Sequence, residues 1–598
     1  MSSTDLDATR RRFLGYCSAI GVSGTLLPGV LWARVQDTRD ATKPPRVTEA
    51  MLKDALAVAG LEFSEEDTAQ MVNGVNQALT RYEELRAVHI DPDLQPPLYY
   101  SPLVPGTRLD RTPRPFRLGP VPQVRRPARL EDVAFWPLTH LAELVRTRQV
   151  TATELTGMYL DRLHRHNAAI NCVVTFTDDL AKQQAAAADA EIAAGRYRGP
   201  LHGIPWGCKD IIAVPGYPTT WGSDAFRDQH FDYEASVVRL LREAGAVLLA
   251  KLATGELASG DRWFGGQTMN PWDLKEGASG SSCGPASATA AGLVAFGIGT
   301  DTGGSVLFPA TRCGIAGLRP TFGRVSRHGA MALSWTRDRI GPLCRTPEDC
   351  AVVFHAIARA DEQDLTVQDL PFNYDGQADV RSLRVGYLEP TGVEEGRTED
   401  WQANDRRTLD QLRSMGVKPE RFEMPELPLE LAGVAGGAES GASFDELLRS
   451  GRDRQLTIKT RGNGLRASRL IPAVEYLQGQ RVRAKLMRDY AAVVGKYDVF
   501  IQPSNNPPLN PTGGVGAGPD GRSPRPQTRT RYYHELGNSC CYPAVTVPNG
   551  FTSAGKPTTI TFVGRLYAEA QLLALAAAYT RSAGPAQRYP RSFTTATA

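Results

Sequence analysis

Nothing in this sequence has the ligand spacing of a metal centre. Its nine cysteines are scattered, with no Cys-x-x-Cys pair and no Cys/His cluster of zinc type. No metal and no other cofactor is called for. Charge of one sign is also scarce: a net charge of +3 over 598 residues leaves no electrostatic footprint for nucleic acid. Beyond the N-terminus no run of ~18 uninterrupted apolar residues occurs, which excludes a polytopic membrane protein. General disorder is excluded too, because apolar periodic segments run between the 42 prolines and 57 glycines. If Cys17 leaves with a signal peptide, eight cysteines remain and disulfides become feasible. The adjacent Cys540 and Cys541 suit packing better than a mutual bridge.

What is present is a chain long enough for a large domain with extensions. Residues 1–35 read as a targeting segment. Thr9-Arg10-Arg11-Arg12-Phe13-Leu14 has the twin-arginine pattern, followed by a moderately apolar stretch to Trp32-Ala33. This predicts export to a periplasmic or extracytoplasmic compartment, with no stable membrane insertion once the signal is removed; a cytoplasmic protein with a basic N-terminus is the alternative. Residues 36–129 read as a small helical extension and a proline-rich linker or strap. Ser64-Glu65-Glu66-Asp67 opens its second helix, with Met71, Val72, Val75 and Leu79 at helical spacing. From about Leu130, helices alternate with short apolar strands: helices over 151–166 and 178–195, strands over 171–177 and 245–250. Later strands are expected over 497–503, 542–549 and 559–563, with a loop insertion over 515–528. The pattern argues for an α/β domain around a mixed sheet.

One glycine- and serine-rich stretch, Gly277–Thr321, dominates the chemistry. Glycine lets backbone approach a ligand closely, so serines set among glycines are candidate nucleophiles with N–H donors beside them. Three motifs within reach are decoys. Gly297-Ile298-Gly299 lacks the next glycine of a dinucleotide fingerprint, because Thr302 stands there. Gly203 to Lys209 is too short for a P-loop. Gly280-Ser281-Ser282-Cys283-Gly284 fits G-x-S-x-G, but residues 272–276 do not read as the strand that a nucleophile elbow needs. What remains is Lys209, embedded in an otherwise apolar segment, the Ser281 region, and Ser305.

These residues carry a resemblance. GIPWGCKD around Lys209, GASGSSCGPASATAAGL around Ser281 and GTDTGGSVLFPATRCGIAGLRPTFGRVSRHG around Ser305 resemble, in order and spacing, the amidase signature family. The likeness spans about Leu130 to the C-terminus. It implies an α/β fold with a mixed sheet core covered by helices, and a Ser–cis-Ser–Lys triad: Ser305 as nucleophile, Ser281 as the bridging serine, Lys209 as the base. Backbone N–H groups of Thr302, Gly303 and Gly304 would form the oxyanion hole. A lysine serves as base only when neutral, and its ordinary pKa is ~10.4, so burial among Ile204, Trp206, Ile211 and Ile212 must depress it. Each part also has a structural alternative: Lys209 paired with Asp210, Ser281 in a turn, Ser305 as a helix cap.

The resemblance is imperfect at the substrate side. Many members carry arginine two residues after the nucleophile, where this chain has Leu307, followed by Phe308. Trp206, Leu307, Phe308 and Trp335 are the expected pocket residues. The implied function is hydrolysis of a small-molecule carboxylic amide through a Ser305 acyl-enzyme. The first alternative is the glutaminase (A-type) subunit of a tRNA-dependent amidotransferase. The second, of another class, is an inactive binding protein on the same fold. A homo-oligomer is compatible with the sequence.

Overall fold

The computed structural model describes residues 46–87, 98–389, 396–506, 528–583 and 588–594. The twin-arginine segment and all but the last residue of the 515–528 insertion lie outside these residues. The chain divides into two compact units, one ending at Asp91 and the other beginning at Pro92. The first contains helices α1 (Glu49–Ala59) and α2 (Glu65–Ala87). Thr48 Oγ1 accepts the Met51 N–H at 3.3 Å to start α1, and Gly60 ends it. Ser64 Oγ accepts the Asp67 N–H at 3.1 Å and caps α2.

In the second unit, residues 98–129 carry no helix or strand of their own and run as a strap. Its Arg117 N–H donates to Tyr374 O at 2.9 Å. Phe116 stacks on His355 at 4.3 Å, and the Tyr100 ring lies 4.2 Å from the Arg483 guanidinium.

Eleven strands then form one mixed sheet. In chain order they are β1 (Val173–Phe176), β2 (Pro205–Lys209), β3 (Val247–Leu252), β4 (Phe296–Asp301), β5 (Ala316–Arg319) and β6 (Arg339–Cys344). There follow β7 (Val385–Leu388), β8 (Glu420–Phe422), β9 (Val499–Pro503), β10 (Ala544–Phe551) and β11 (Pro557–Gly564). Their order across the sheet is β1-β3-β2-β4-β6-β5-β10-β11-β9-β7-β8. Strands β3, β2 and β4 run parallel; β4, β6, β5, β10, β11 and β9 pair antiparallel in turn; β9, β7 and β8 are parallel again. Every residue of β2, β3, β4 and β6 is buried, as strands covered by helices on both faces require.

The helices that matter for the site are α3 (Cys283–Ala290), α4 (Leu307–Cys313), α5 (Leu429–Ser443), α6 (Ala473–Val494) and α7 (Arg529–Ser539). The helix predicted over 151–166 runs over Ala152–Ile170, opened by a reciprocal capping box between Thr151 and Glu154. Of the cysteines, the eight among the described residues are all buried and free. Among the described residues no helix is long and apolar enough to cross a membrane.

Candidate active site

Strands β2 and β4 are parallel neighbours, with Trp206 opposite Phe296 and Cys208 opposite Ile298. Their carboxyl ends therefore finish side by side, the position where α/β sheets hold ligands. Lys209 ends β2, while Thr300 and Asp301 end β4. The Lys209 side chain is fully buried; its Nζ donates to Ser281 Oγ and Thr300 Oγ1, both at 2.8 Å. Burial brings its pKa down to about 7, against smaller opposing effects of Cys283, Asp301 and Asp338.

Ser281 precedes α3 and is 1% exposed, and the Gly280–Ser281 peptide is cis. Its carbonyl accepts the Gly255 N–H at 3.1 Å. A Cβ on Gly280 would lie 1.8 Å from Gly260 O, so no other residue fits there. Ser282, the central serine of G-x-S-x-G, is consumed by β4: its Oγ donates to Thr300 O at 3.2 Å and accepts the Thr300 N–H at 3.1 Å. Its N–H donates to Ser305 O at 3.2 Å, which ties the two serine loops together. The segment before it forms a strand after all, Asp273–Gly277. That strand belongs to a two-stranded ribbon with Met269–Asn270, apart from the main sheet, so no elbow is built there.

Asp301 organises the Ser305 loop. Its carboxylate accepts the N–H groups of Gly304 (2.7 Å) and Val306 (2.9 Å). Burial opposes its ionisation, but Arg319, Arg339 and these N–H groups outweigh it and hold the carboxyl below its ordinary pKa. Ser305 follows at the entrance to α4, half-buried, with its hydroxyl free of hydrogen bonds among the described residues. Gly304 sits at φ +106°, with the Phe308 ring 2.3 Å from where a Cβ would stand. Of the expected oxyanion donors, the Gly304 N–H is taken by Asp301. Thr302 is held from two sides: its Oγ1 donates to Asp338 at 2.6 Å, and its carbonyl accepts Asn538 Nδ2 at 2.7 Å. Asn538 is gripped in turn by Arg339.

A small cavity, open to solvent, adjoins Thr300 and Thr302; Ile211, Met331, Leu333, Trp335 and Ile340 supply its apolar wall. Asp338 Oδ2 also accepts the N–H groups of Leu333 (2.7 Å) and Ser334 (2.9 Å), so one carboxylate joins the Ser305 loop to the cavity wall. Glu439 of α5 accepts Thr336 Oγ1 at 2.9 Å on the other side of Trp335. Trp335 thus lines the cavity. Trp206 does not: it is buried and stacked on Phe296 at 5.9 Å. Leu307 is buried in the core under α4, and Phe308 packs between Gly304 and His534, 5.0 Å from the imidazole. Burial, with Arg319 nearby, pushes the His534 pKa down to about 3, leaving a neutral ring. Asp210 does not pair with Lys209. Its carboxylate meets Lys251 Nζ at 2.7 Å, both side chains fully buried.

Sequence reasoning missed four residues here: Thr300, Asp301, Asp338 and Asn538. The first two lie inside the GTDTGGS motif, where an acid before paired glycines signals a backbone clamp. Asp338 and Asn538 reach Thr302 from distant segments and carry no local signal.

Comparison with known proteins identifies the family. Residues 154–573 match the Amidase family. The A-type subunit of the glutamyl-tRNA(Gln) amidotransferase of Moorella thermoacetica is 33% identical over 480 residues, covering 75% of this chain and 97% of that protein. A Mycobacterium tuberculosis protein assigned as amidase AmiD is 34% identical over 474 residues, covering 78% and 98%. The solved peptide amidase of Stenotrophomonas maltophilia superposes with a TM-score of 0.65 at 27% identity, covering 77% of this chain and 99% of that one. The chain therefore belongs to the Amidase family and is an amide-hydrolysing enzyme.

Proposed function

We propose that the chain hydrolyses a small carboxylic amide through an acyl-enzyme on Ser305, with Ser281 relaying protons to and from Lys209. The observation that carries this reading is the buried Lys209 ammonium site, drawn down to about pKa 7 and 2.8 Å from Ser281 Oγ. A neutral lysine accepts the Ser281 proton as Ser281 accepts that of Ser305, and Ser305 Oγ forms a bond to the amide carbon. The carbonyl oxygen takes the negative charge and is met by the N–H groups of Gly303 and Ser305, which make no hydrogen bond among the described residues. Collapse breaks the C–N bond, and the amine leaves with the proton that Ser281 returns. Water then attacks the ester by the same relay, releasing the acid and restoring Ser305. Every proton stays within the triad, the amine and the acid, so no cofactor enters.

The 33%-identical amidotransferase subunits favour a second reading, a glutaminase subunit that works with partner proteins. Assay of the purified chain alone separates the two: the hydrolase reading expects turnover of simple amides without partner or tRNA. A fluorophosphonate should label Ser305 in the wild type and leave Ser305→Ala unlabelled. Labelling at Ser282, or none in folded protein, overturns the assignment. In this reading residues 130–598 are the catalytic domain, 36–129 its extension and 1–35 a twin-arginine export signal. Fusion of residues 1–45 to a reporter tests the last point, and a reporter retained in the cytoplasm refutes it.

A further inference from the structure

Three large apolar side chains stand out of the second unit in one place: Leu470, Val474 and Leu477, exposed by 72%, 63% and 59%. Leu470 lies in the turn before α6, and the other two occupy its first turns. The inward face of α6 is already committed to the core through Arg483, Leu486, Met487 and Tyr490. Tyr476 OH and Gln480 Nε2, from the same turns, reach Glu439 at 3.1 Å each. The outward stripe Val474, Leu477, Arg481, Lys485, Arg488 repeats at helical spacing, and all five residues are exposed.

The charge there is far from the chain's average. Residues 459–488 hold eight lysines and arginines against one acid, Glu475, in a protein whose net charge is only +3. Six of those cations are exposed. Some are paired, as Arg466 with Asp453, Arg469 with Asp445 and Lys485 with Asp489 just beyond this stretch, while Arg481 and Arg488 have no ion pair among the described residues. Isolated exposed leucines need no explanation. Three together, bordered by cations along one helix face, have the form of a helix that lies in a membrane interface.

We propose that the turn at Leu470 and the outward face of α6 dock on an anionic lipid surface. Leu470, Val474 and Leu477 enter the acyl boundary, and the unpaired Arg481 and Arg488 sit among the phosphates. Nucleic acid would satisfy the cations but leave the three apolar side chains in water, so lipid is the better match. The contact is peripheral, in keeping with the absence among the described residues of any helix long and apolar enough to span a bilayer.

The test is co-sedimentation of the full chain with phosphatidylcholine vesicles, with and without one part in three of phosphatidylglycerol. Binding to the anionic vesicles is expected, weakening with added salt. The triple variant Leu470→Ser/Val474→Ser/Leu477→Ser should lose at least tenfold in partitioning, and Arg481→Glu/Arg488→Glu should lose the preference for anionic lipid; thermal melting of each reports that it is folded. Absence of vesicle binding by the wild type overturns the proposal, as does binding unchanged in a folded triple variant. So does equal competition by DNA, or a dimer in sedimentation equilibrium that the triple variant dissociates while vesicles go unbound.

Discussion

The rate at which Ser305 reacts with a fluorophosphonate should follow the ionisation of Lys209. With the lysine pKa near 7, the neutral fraction falls tenfold for each pH unit below that value. The labelling rate at pH 6 should be about one-tenth of the plateau, and at pH 5 about one-hundredth. The probe makes the measurement independent of substrate identity and of any later deacylation step. His534 does not confound it, because its pKa near 3 keeps the ring neutral across the range. The same group leaves a mark on stability. The unfolded chain protonates this lysine from about pH 10.5 downward, whereas the folded chain keeps it neutral down to about 7. Its contribution is therefore full above pH 10.5, declines by ~1.4 kcal/mol per pH unit as pH falls, and levels off below 7 after a loss of about 5 kcal/mol. Lys209→Met should abolish labelling and flatten that slope in denaturant titrations between pH 7 and 10. A labelling rate constant down to pH 5, or an inflection near 10, would refute the assignment of Lys209 as the base.

Other perturbations probe the surrounding framework. Asp301→Asn keeps one acceptor oxygen where the loop uses two, and should lower kcat about 10²–10³-fold through the displaced oxyanion donors, with a smaller effect on KM. Gly304→Ala drives a Cβ into the Phe308 ring at φ +106°; labelling of Ser305 should collapse and return in part in Gly304→Ala/Phe308→Ala. Breaking the buried Asp210–Lys251 pair by Lys251→Met should cost about 3–5 kcal/mol in chemical denaturation, and the double change Asp210→Leu/Lys251→Met should recover much of it. Tyr100→Ala should lower stability by about 3–5 kcal/mol by removing the ring beneath Arg483, while Tyr100→Phe, which keeps the ring, should cost under ~1.5 kcal/mol.

The sheet, its bordering helices and the family were legible because apolar periodicity and the three spaced motifs are local signals. Lys209 stood out for a similar reason, a charge set in an apolar segment. The alternative pairing of Lys209 with Asp210 failed on strand geometry: neighbouring residues leave a strand toward opposite faces, which sends the carboxylate to Lys251 on the adjoining β3. Trp206 resisted reading because an aromatic at the end of a motif has the same local signature whether it faces a cavity or, as here, the Phe296 ring. Asp338 and Asn538 were invisible for a deeper reason. They act on Thr302 across 36 and 236 residues of chain, so their role exists only once the sheet brings β6 and α7 to the end of β4.

The strap sets an order on synthesis. Tyr100 leaves the ribosome early, but its hydroxyl partner Met487 follows 387 residues later. At ~5–20 residues per second that is a wait on the order of 20–80 s. Through that interval Tyr100 has, of its ring and hydroxyl partners, at most the edge-on Phe322 ring, 5.2 Å away in the finished fold. Full seating of Tyr100 against Arg483 and Met487 therefore marks the time at which most of the second unit has been made, and makes the strap a latch that is completed from the front of the chain once the back has arrived.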